Sequence, residues 1–300
     1  MNKISEEAFG KVLVSDGAWG TFLQQKGMKP GECPEAWNIT HADDVLDIAR
    51  SYVEAGADMI ETNSFGGSRF KLEKYGLGDR VAEVNRAAAA LSRQAAGTGR
   101  RVLGSMGPTG KILMMGDVTE AELYDAFREQ AVALEAGGAD AIVVETMTDL
   151  EEACIAVRAA HENTRLEVFC TMTFDKLLTG GYRTMMGIAP AEMVEPLLAA
   201  GASVIGANCG NGMAGMVEIV REIRSVNSRV PVLVHANAGM PEYRDGQTVF
   251  PETPGEMAAN VQALIAAGAN IIGGCCGTTP LHIRLVKQEV DRLCDRSNCF

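Results

Sequence analysis

Cys275 and Cys276 stand side by side in Ile271-Ile-Gly-Gly-Cys-Cys-Gly-Thr-Thr-Pro280, and a third cysteine, Cys209, follows a second glycine-bearing run, Gly206-Ala-Asn. Neighbouring side chains on a strand point to opposite faces, so two adjacent thiols serve one site only where the pleat breaks. Gly273, Gly274 and Gly277 supply residues able to make such a break. Three thiolates are the soft ligand set of a zinc ion that keeps a fourth position open. With three thiolates the centre carries a net charge of −1, which makes it a poor source of hydroxide. It suits instead the capture of a further thiol as a thiolate, lowered from its usual pKa of about 8.5 and still nucleophilic. The chemistry implied is attack of a bound thiolate on an electrophilic carbon. A disulfide between Cys275 and Cys276 is disfavoured by bridge geometry and by a reducing compartment. Cys33, Cys154, Cys170, Cys294 and Cys299 show no such grouping and read as structural or incidental.

Positioning three such thiols requires the ends of strands. Short apolar, β-rich runs recur at Val12–Ser15, Met59–Thr62, Val102–Ser105, Ala141–Thr146, Val168–Thr171, Val204–Ala207, Val232–Ala236 and Ile271–Gly274. The stretches between them carry helical periodicity, as in Ala121-Glu-Leu-Tyr-Asp-Ala-Phe-Arg-Glu-Gln-Ala-Val-Ala-Leu134. Eight strand–helix units predict an α/β fold of the (β/α)8 TIM-barrel class, with residues 1–300 forming one domain and 292–300 a frayed tail. Ala55-Gly-Ala-Asp, Gly137-Gly-Ala-Asp, Ala200-Gly-Ala-Ser and Ala267-Gly-Ala-Asn echo one another before the second, fourth, sixth and eighth strands, each a glycine stop feeding a strand. Such tetrapeptides also occur in doubly wound sheets; the number of units is what favours a barrel.

In a barrel the chemistry sits at the C-terminal ends of the strands. Those ends are polar or glycine-rich: Asp16-Gly-Ala-Trp-Gly-Thr21, Glu61-Thr-Asn-Ser-Phe65, Met106-Gly-Pro-Thr109, Glu145-Thr-Met-Thr-Asp149, Ala207-Asn-Cys-Gly-Asn211, His235-Ala-Asn-Ala-Gly239 and Cys275-Cys-Gly-Thr-Thr279. Cys209, Cys275 and Cys276 therefore converge on one rim as expected zinc ligands. Glu145, an anionic strand end, suits an ammonium group, though a carboxylate there also suits a helix cap. Asp-Gly at Asp16 is equally an ordinary turn. His235 competes for a place in the zinc shell because imidazole is the commoner ligand, although a histidine in an apolar strand is commonly a hydrogen-bonded core residue.

Composition narrows the setting. The 300 residues are 47% hydrophobic and 22% charged, with eight cysteines and a net charge of −12. That charge argues against a nucleic-acid partner, and no apolar run reaches the roughly 18 residues of a membrane span. The polar, acidic start Met1-Asn-Lys-Ile-Ser-Glu-Glu7 is unlike a secretion signal, so the expected location is cytoplasmic.

Asp16-Gly-Ala-Trp-Gly-Thr, Gly206-Ala-Asn-Cys-Gly and Gly273-Gly-Cys-Cys-Gly-Thr-Thr-Pro together resemble the homocysteine S-methyltransferase family over nearly the whole chain. Glu145-Thr-Met-Thr-Asp, Gly107-Pro-Thr-Gly, Met172-Thr-Phe-Asp and Asn237-Ala-Gly-Met-Pro-Glu are most similar to the homocysteine-binding module of cobalamin-dependent methionine synthase. The resemblance implies a zinc-dependent methyltransferase in which Cys209, Cys275 and Cys276 hold the metal and homocysteine sulfur takes the fourth position, giving methionine. It implies that Glu145 receives the substrate amino group, that Asp16 and its glycine turn shape the pocket, and that Asn237 ligates zinc when no thiol is bound. The expected donor is a methyl-corrinoid protein or methylcobalamin on a separate partner. Asp-x-His-x-x-Gly, the signature of cobalt ligation by histidine, is missing at His41, His161, His235 and His282. Met147 stands where betaine-using relatives carry tyrosine, while Trp19, Phe65 and Tyr182 are the aromatics available to line a donor path. A small donor such as S-methylmethionine, S-adenosylmethionine or betaine, another acceptor thiol, and a zinc barrel without catalysis remain the alternatives.

Overall fold

Strands buried on both faces must be apolar almost throughout, and the eight runs are. In the computed structural model, which describes residues 3–244 and 246–296, they form one parallel sheet. Its strands are β1 (Leu13–Val14), β2 (Met59–Glu61), β3 (Arg101–Met106), β4 (Ala141–Met147), β5 (Glu167–Met172), β6 (Val204–Asn208), β7 (Val232–Ala236) and β8 (Ile271–Gly274). Parallel ladders join β2 through β8 in chain order, and β8 returns to β1 through Leu13↔Ile271 and Val14↔Ile272. The remaining junction, β1 to β2, is made by single bonds: Asp58 N–H to the Val14 carbonyl at 2.7 Å, and Val14 N–H to Asp58 Oδ2 at 2.9 Å. The sheet is a barrel with helices outside it, as the strand count predicts.

Strand alternation sorts the side chains into two populations. Leu13, Met59, Leu103, Ala141, Val143, Phe169, Val204, Leu233 and Ile271 pack together in the lumen, closed below by Ile4 and Ala8 of the helix Ile4–Gly10. Their neighbours Val14, Ile60, Val102, Ile142, Val144, Val168, Ile205, Val232 and Ile272 face outward into the helices. Two residues further along, the lumen turns polar on five strands and on β7, with Ser15, Glu61, Ser105, Glu145, Thr171 and His235, while β6 and β8 carry Gly206 and Gly273 there and β6 adds Asn208 two residues later; all these polar residues are buried. That layer is the floor of the site.

The echoing tetrapeptides act as one repeated device. Gly56, Gly138, Gly201 and Gly268 all take positive φ, from 97° to 109°, and end the preceding helix in a left-handed turn. The residue two positions later then clasps the neighbouring strand: Asp58 onto Val14, Asp140 onto Val102, Ser203 onto Val168 and Asn270 onto Val232, with N–H to carbonyl distances of 2.7–2.9 Å. The last helix runs from Pro280 to Arg296, through the stretch expected to fray from 292; residues 297–300, including Cys299, lie outside the described residues. Among the described residues no helix is long and apolar enough to cross a membrane.

Candidate metal centre and substrate pocket

Strand β8 ends at Gly274, and Cys275-Cys276-Gly277 leave the pleat as a turn, which is what lets both thiols face one point. Cys275 N–H bonds the Ala236 carbonyl at 2.7 Å, the Cys276 carbonyl accepts from Ala238 at 3.0 Å, and Thr278 closes onto the Cys275 carbonyl. Gly277 sits at φ +79°, and a Cβ there would meet the Phe250 ring at 2.3 Å, so the turn needs glycine. Cys209 follows β6 at φ +59°, a left-handed conformation that swings its thiol off the strand alternation and toward Cys276.

The three ligand sulfurs lie within 4.8 Å of one another, and the Cys209 and Cys276 Sγ atoms are 3.9 Å apart. Thiolates at about 2.3 Å from a tetrahedral zinc stand about 3.8 Å apart, so the donor set fits the metal in kind and in spacing. Hydrogen bonds from the Cys275 and Cys276 thiols pull Cys209 down to about 3. The same bonds push Cys275 up and Cys276 to about 12. Because only thiolates ligate a divalent ion, any protons held within the trio must leave when one binds. Asn237 lies next to this group: it is buried, it affects Cys209 through a side-chain hydrogen bond, and its Oδ1 has no partner. That orphaned oxygen fits the zinc-shell role that the resemblance implies. His235 does not compete for that place, because its ring is turned to the carboxylates below, with Nδ1 3.3 Å from Glu61 Oε1.

A cavity of about 260 Å³ opens beside the thiols, lined by Cys209, Cys275 and Cys276 at one end and by Glu61, Glu145 and His235 at the other. Its walls include Trp19 and Phe65, with the backbone of Gly17 and Ala18. The volume falls just under the range of drug-sized sites and suits an amino acid. Glu145 sits on the lumen side, its carboxylate accepting from Ser105 Oγ and, at 3.3 Å, from Asn208 Nδ2. Burial pushes its pKa well upward. Glu145 caps no helix: the cap of Leu150–Asn163 is Asp149, whose side chain accepts from Glu151 and Glu152.

Asp16, expected with its glycine turn to shape the pocket, braces residues of the cavity wall without lining it. It lies one residue beyond the lumen-facing Ser15, and a one-residue step reverses the face. Its Oδ2 accepts from Glu61 N–H at 2.8 Å and from Trp19 Nε1 at 2.9 Å, which pins the β1–β2 junction and the Trp19 wall. Asp16 is absent from the cavity lining, and burial raises its pKa to about 7. Of the aromatics, Tyr182 lines a separate groove; Met147 is wholly buried in the core outside the barrel.

Two residues without a role at the sequence level come forward here. Asn208 is fully buried: Nδ2 reaches Thr146 Oγ1 at 2.7 Å, Glu145 Oε2 and, at 4.0 Å, Cys275 Sγ, while Oδ1 accepts from Thr146 N–H and Thr171 Oγ1. It ties the metal end of the cavity to the carboxylate end. Glu61 is the second. Both occupy lumen-parity positions, two steps beyond Gly206 and Met59, and that alternation was the available signal.

Comparison with known proteins places these features in context. The family model described as homocysteine S-methyltransferase matches residues 13–290. The methionine synthase of Mycobacterium tuberculosis is 37% identical over 298 residues, covering 93% of this chain and 25% of that protein. That of Mycobacterium leprae is 37% identical over 303 residues, covering 95% of this chain and 25% of that protein. The chain thus spans about a quarter of the length of these relatives. Among solved structures, the metallated form of the homocysteine methyltransferase MmuM from Escherichia coli matches with a TM-score of 0.75 at 20% identity, over 93% of this chain and 96% of that one. The carboxyl transferase domain (Y628A) of Rhizobium etli pyruvate carboxylase matches at 0.54 and 17% identity, over 96% of this chain and 50% of that one, a likeness of the barrel alone.

Proposed function

Since the chain belongs to the homocysteine S-methyltransferase family, we propose that it transfers a methyl group to the sulfur of homocysteine, forming methionine, at a zinc centre held by Cys209, Cys275 and Cys276. The observation that carries this reading is one cavity with three convergent thiols at one end and a buried carboxylate, Glu145, at the other. When bound, zinc supplies a position at which a thiol loses its proton at neutral pH yet stays nucleophilic. Glu145 receives the substrate ammonium, and Asn208 and Ser105 hold that carboxylate in place. Trp19 and Phe65 wall the chain of the substrate from water. Attack in line forms the S–CH3 bond while the bond to the donor breaks, its electron pair staying with the donor.

The donor we favour is a methyl-corrinoid protein docked over the rim. The loops that follow β3, β5 and β7 expose Met114 at 82%, Met115 at 75%, Leu178 at 109%, Met185 at 80%, Met240 at 56% and Tyr243 at 79%. Those loops all follow strand ends on the C-terminal face of the barrel, the face that also carries the thiols. Large apolar side chains exposed on one face are what a partner protein could cover, and methionine is frequent on surfaces that adapt to a partner. A small sulfonium donor needs no such surface. Incubating zinc-loaded protein and homocysteine with methyl-corrinoid proteins, methylcobalamin, S-methylmethionine, S-adenosylmethionine and betaine in turn tests this. Methionine formed rapidly from a sulfonium or betaine, with none from any corrinoid, would refute the donor assignment.

Two predictions arise here. Glu145→Gln keeps the shape but removes the charge, and is expected to weaken homocysteine binding roughly 10–100-fold, the worth of a charge-assisted hydrogen bond. Zinc content should stay at one per chain; unchanged calorimetric affinity would remove Glu145 from the site. Met114→Asp combined with Met185→Asp should raise KM for the corrinoid protein about tenfold, as for loss of an interface anchor, and leave turnover of free methylcobalamin unchanged. Equal effects on both donors would argue against docking on this rim.

A further inference from the structure

Neither His282 nor Glu252 lines the cavity beside the thiols, yet together they touch each of the loops that carry the thiols. His282 stands in the first turn of the helix Pro280–Arg296 and is 6% exposed. Its Nδ1 accepts from the Thr279 N–H at 3.1 Å, with the Thr279 hydroxyl 2.9 Å away, and its Nε2 lies 3.1 Å from the Glu252 carbonyl oxygen. A backbone N–H can only donate and a carbonyl can only accept, so these partners place the single ring proton on Nε2. The neutral imidazole thus closes the start of its own helix with one nitrogen and holds Glu252 with the other.

Glu252 is where the three loops meet. Its N–H bonds the Ala238 carbonyl at 2.9 Å, and the Ala238 N–H in turn bonds the Cys276 carbonyl at 3.0 Å. Its carboxylate draws on two further backbone N–H groups, those of Met213, the first residue of the helix after Cys209, and of Gly239, two residues beyond Asn237. Two glycines make room for this approach: a Cβ on Gly212 would stand 2.7 Å from Glu252 Oε2, and one on Gly239 would stand 3.2 Å from the Glu252 nitrogen. The Asn237 N–H closes the circuit on the Asn211 carbonyl at 2.9 Å. The loops that carry Cys209, Asn237 and the Cys275-Cys276 pair are joined through one residue, and His282 fastens that residue to the last helix.

Resting on the zinc centre proposed above, we propose that His282 is a positioning residue for that centre, acting through Glu252 to hold the three ligand loops at the spacing the metal requires. Affinity for a metal depends on ligands held in place before the ion arrives, and groups one step behind the ligands commonly contribute roughly 10–100-fold. The competing role is that of a histidine that only starts its helix. The two ring nitrogens separate these roles, because asparagine places its amide near the position of Nδ1 and glutamine places its amide near that of Nε2.

The test is zinc affinity by competition with a chromogenic chelator, read beside the melting temperature of the zinc-free protein. His282→Asn keeps an acceptor for Thr279 but does not reach Glu252, and is expected to weaken zinc about tenfold. His282→Gln can still donate to the Glu252 carbonyl but leaves the Thr279 N–H unmatched. It should hold zinc within about twofold of wild type while melting roughly 2–4 °C lower. An asparagine variant with wild-type zinc affinity, or a glutamine variant that loses as much zinc as the asparagine one, overturns the inference and leaves the functional reading intact. Should His282→Asn not fold, Glu252→Ala, which withdraws the carboxylate from Met213 and Gly239, should show the same loss of zinc, and full affinity there overturns the inference equally. A wild type that takes no zinc from the chelator overturns the centre and its clasp together.

Discussion

Cys275→Ser is expected to leave the protein without stoichiometric zinc and to lower methionine formation by about three orders of magnitude. Serine keeps the size of the side chain, so the turn held by Thr278 and Ala238 should persist. What changes is the donor: a hard hydroxyl that stays protonated replaces a soft thiolate, and two sulfurs no longer make a centre that retains the metal. A metal contribution of several kcal/mol to the reacting state corresponds to a rate factor of about a thousand. Elemental analysis and steady-state assay on the same preparation check it. Full zinc with full turnover would move the chemistry away from the thiols altogether.

Gly206→Ala should be the most damaging single-carbon addition in the barrel. A Cβ on Gly206 would stand 1.8 Å from the Leu233 carbonyl oxygen and 2.8 Å from its carbon, and both are backbone atoms that cannot rotate away. Gly206 pairs directly with Leu233 between β6 and β7, so relief requires those strands to part. Overpacking of this kind costs at least about 3 kcal/mol, a fall in melting temperature of roughly 6–12 °C at this chain length. Because Cys209 lies three residues further on, the zinc affinity should fall with it. An unchanged melting curve would show that the two strands have slack that the register does not suggest.

The barrel was legible because fully buried parallel strands leave unbroken apolar runs, and because the same glycine turn precedes every second one. The grouping of Cys209, Cys275 and Cys276 was legible by residue type and place, since all three stand beside glycine at strand ends. Asp16 and Glu61 were harder for one physical reason. A strand end reads as polar whichever way its side chains face, and only the register decides between lumen and exterior. Asp16 follows the end of β1 and is off the parity of the lumen-facing Leu13, and it braces Trp19 and Glu61. Counting from Met59 puts Glu61 inside. Asn208 was overlooked beside the more conspicuous Cys209, although it carries five of the site's polar contacts.

The ladder that returns β8 to β1 consists of two residue pairs, Leu13↔Ile271 and Val14↔Ile272, drawn from opposite ends of the barrel sequence. Contacts so distant along the chain form late, because the loop they close must be ordered first. Cys275 and Cys276 lie immediately past that ladder, and Cys209 hangs from the strand two places away. During synthesis a nascent chain therefore carries Cys209 before its two companions exist, so at the proposed zinc centre metal capture would report completed closure. Zinc uptake followed in real time during refolding should lag the gain of helical signal and coincide with the last kinetic phase.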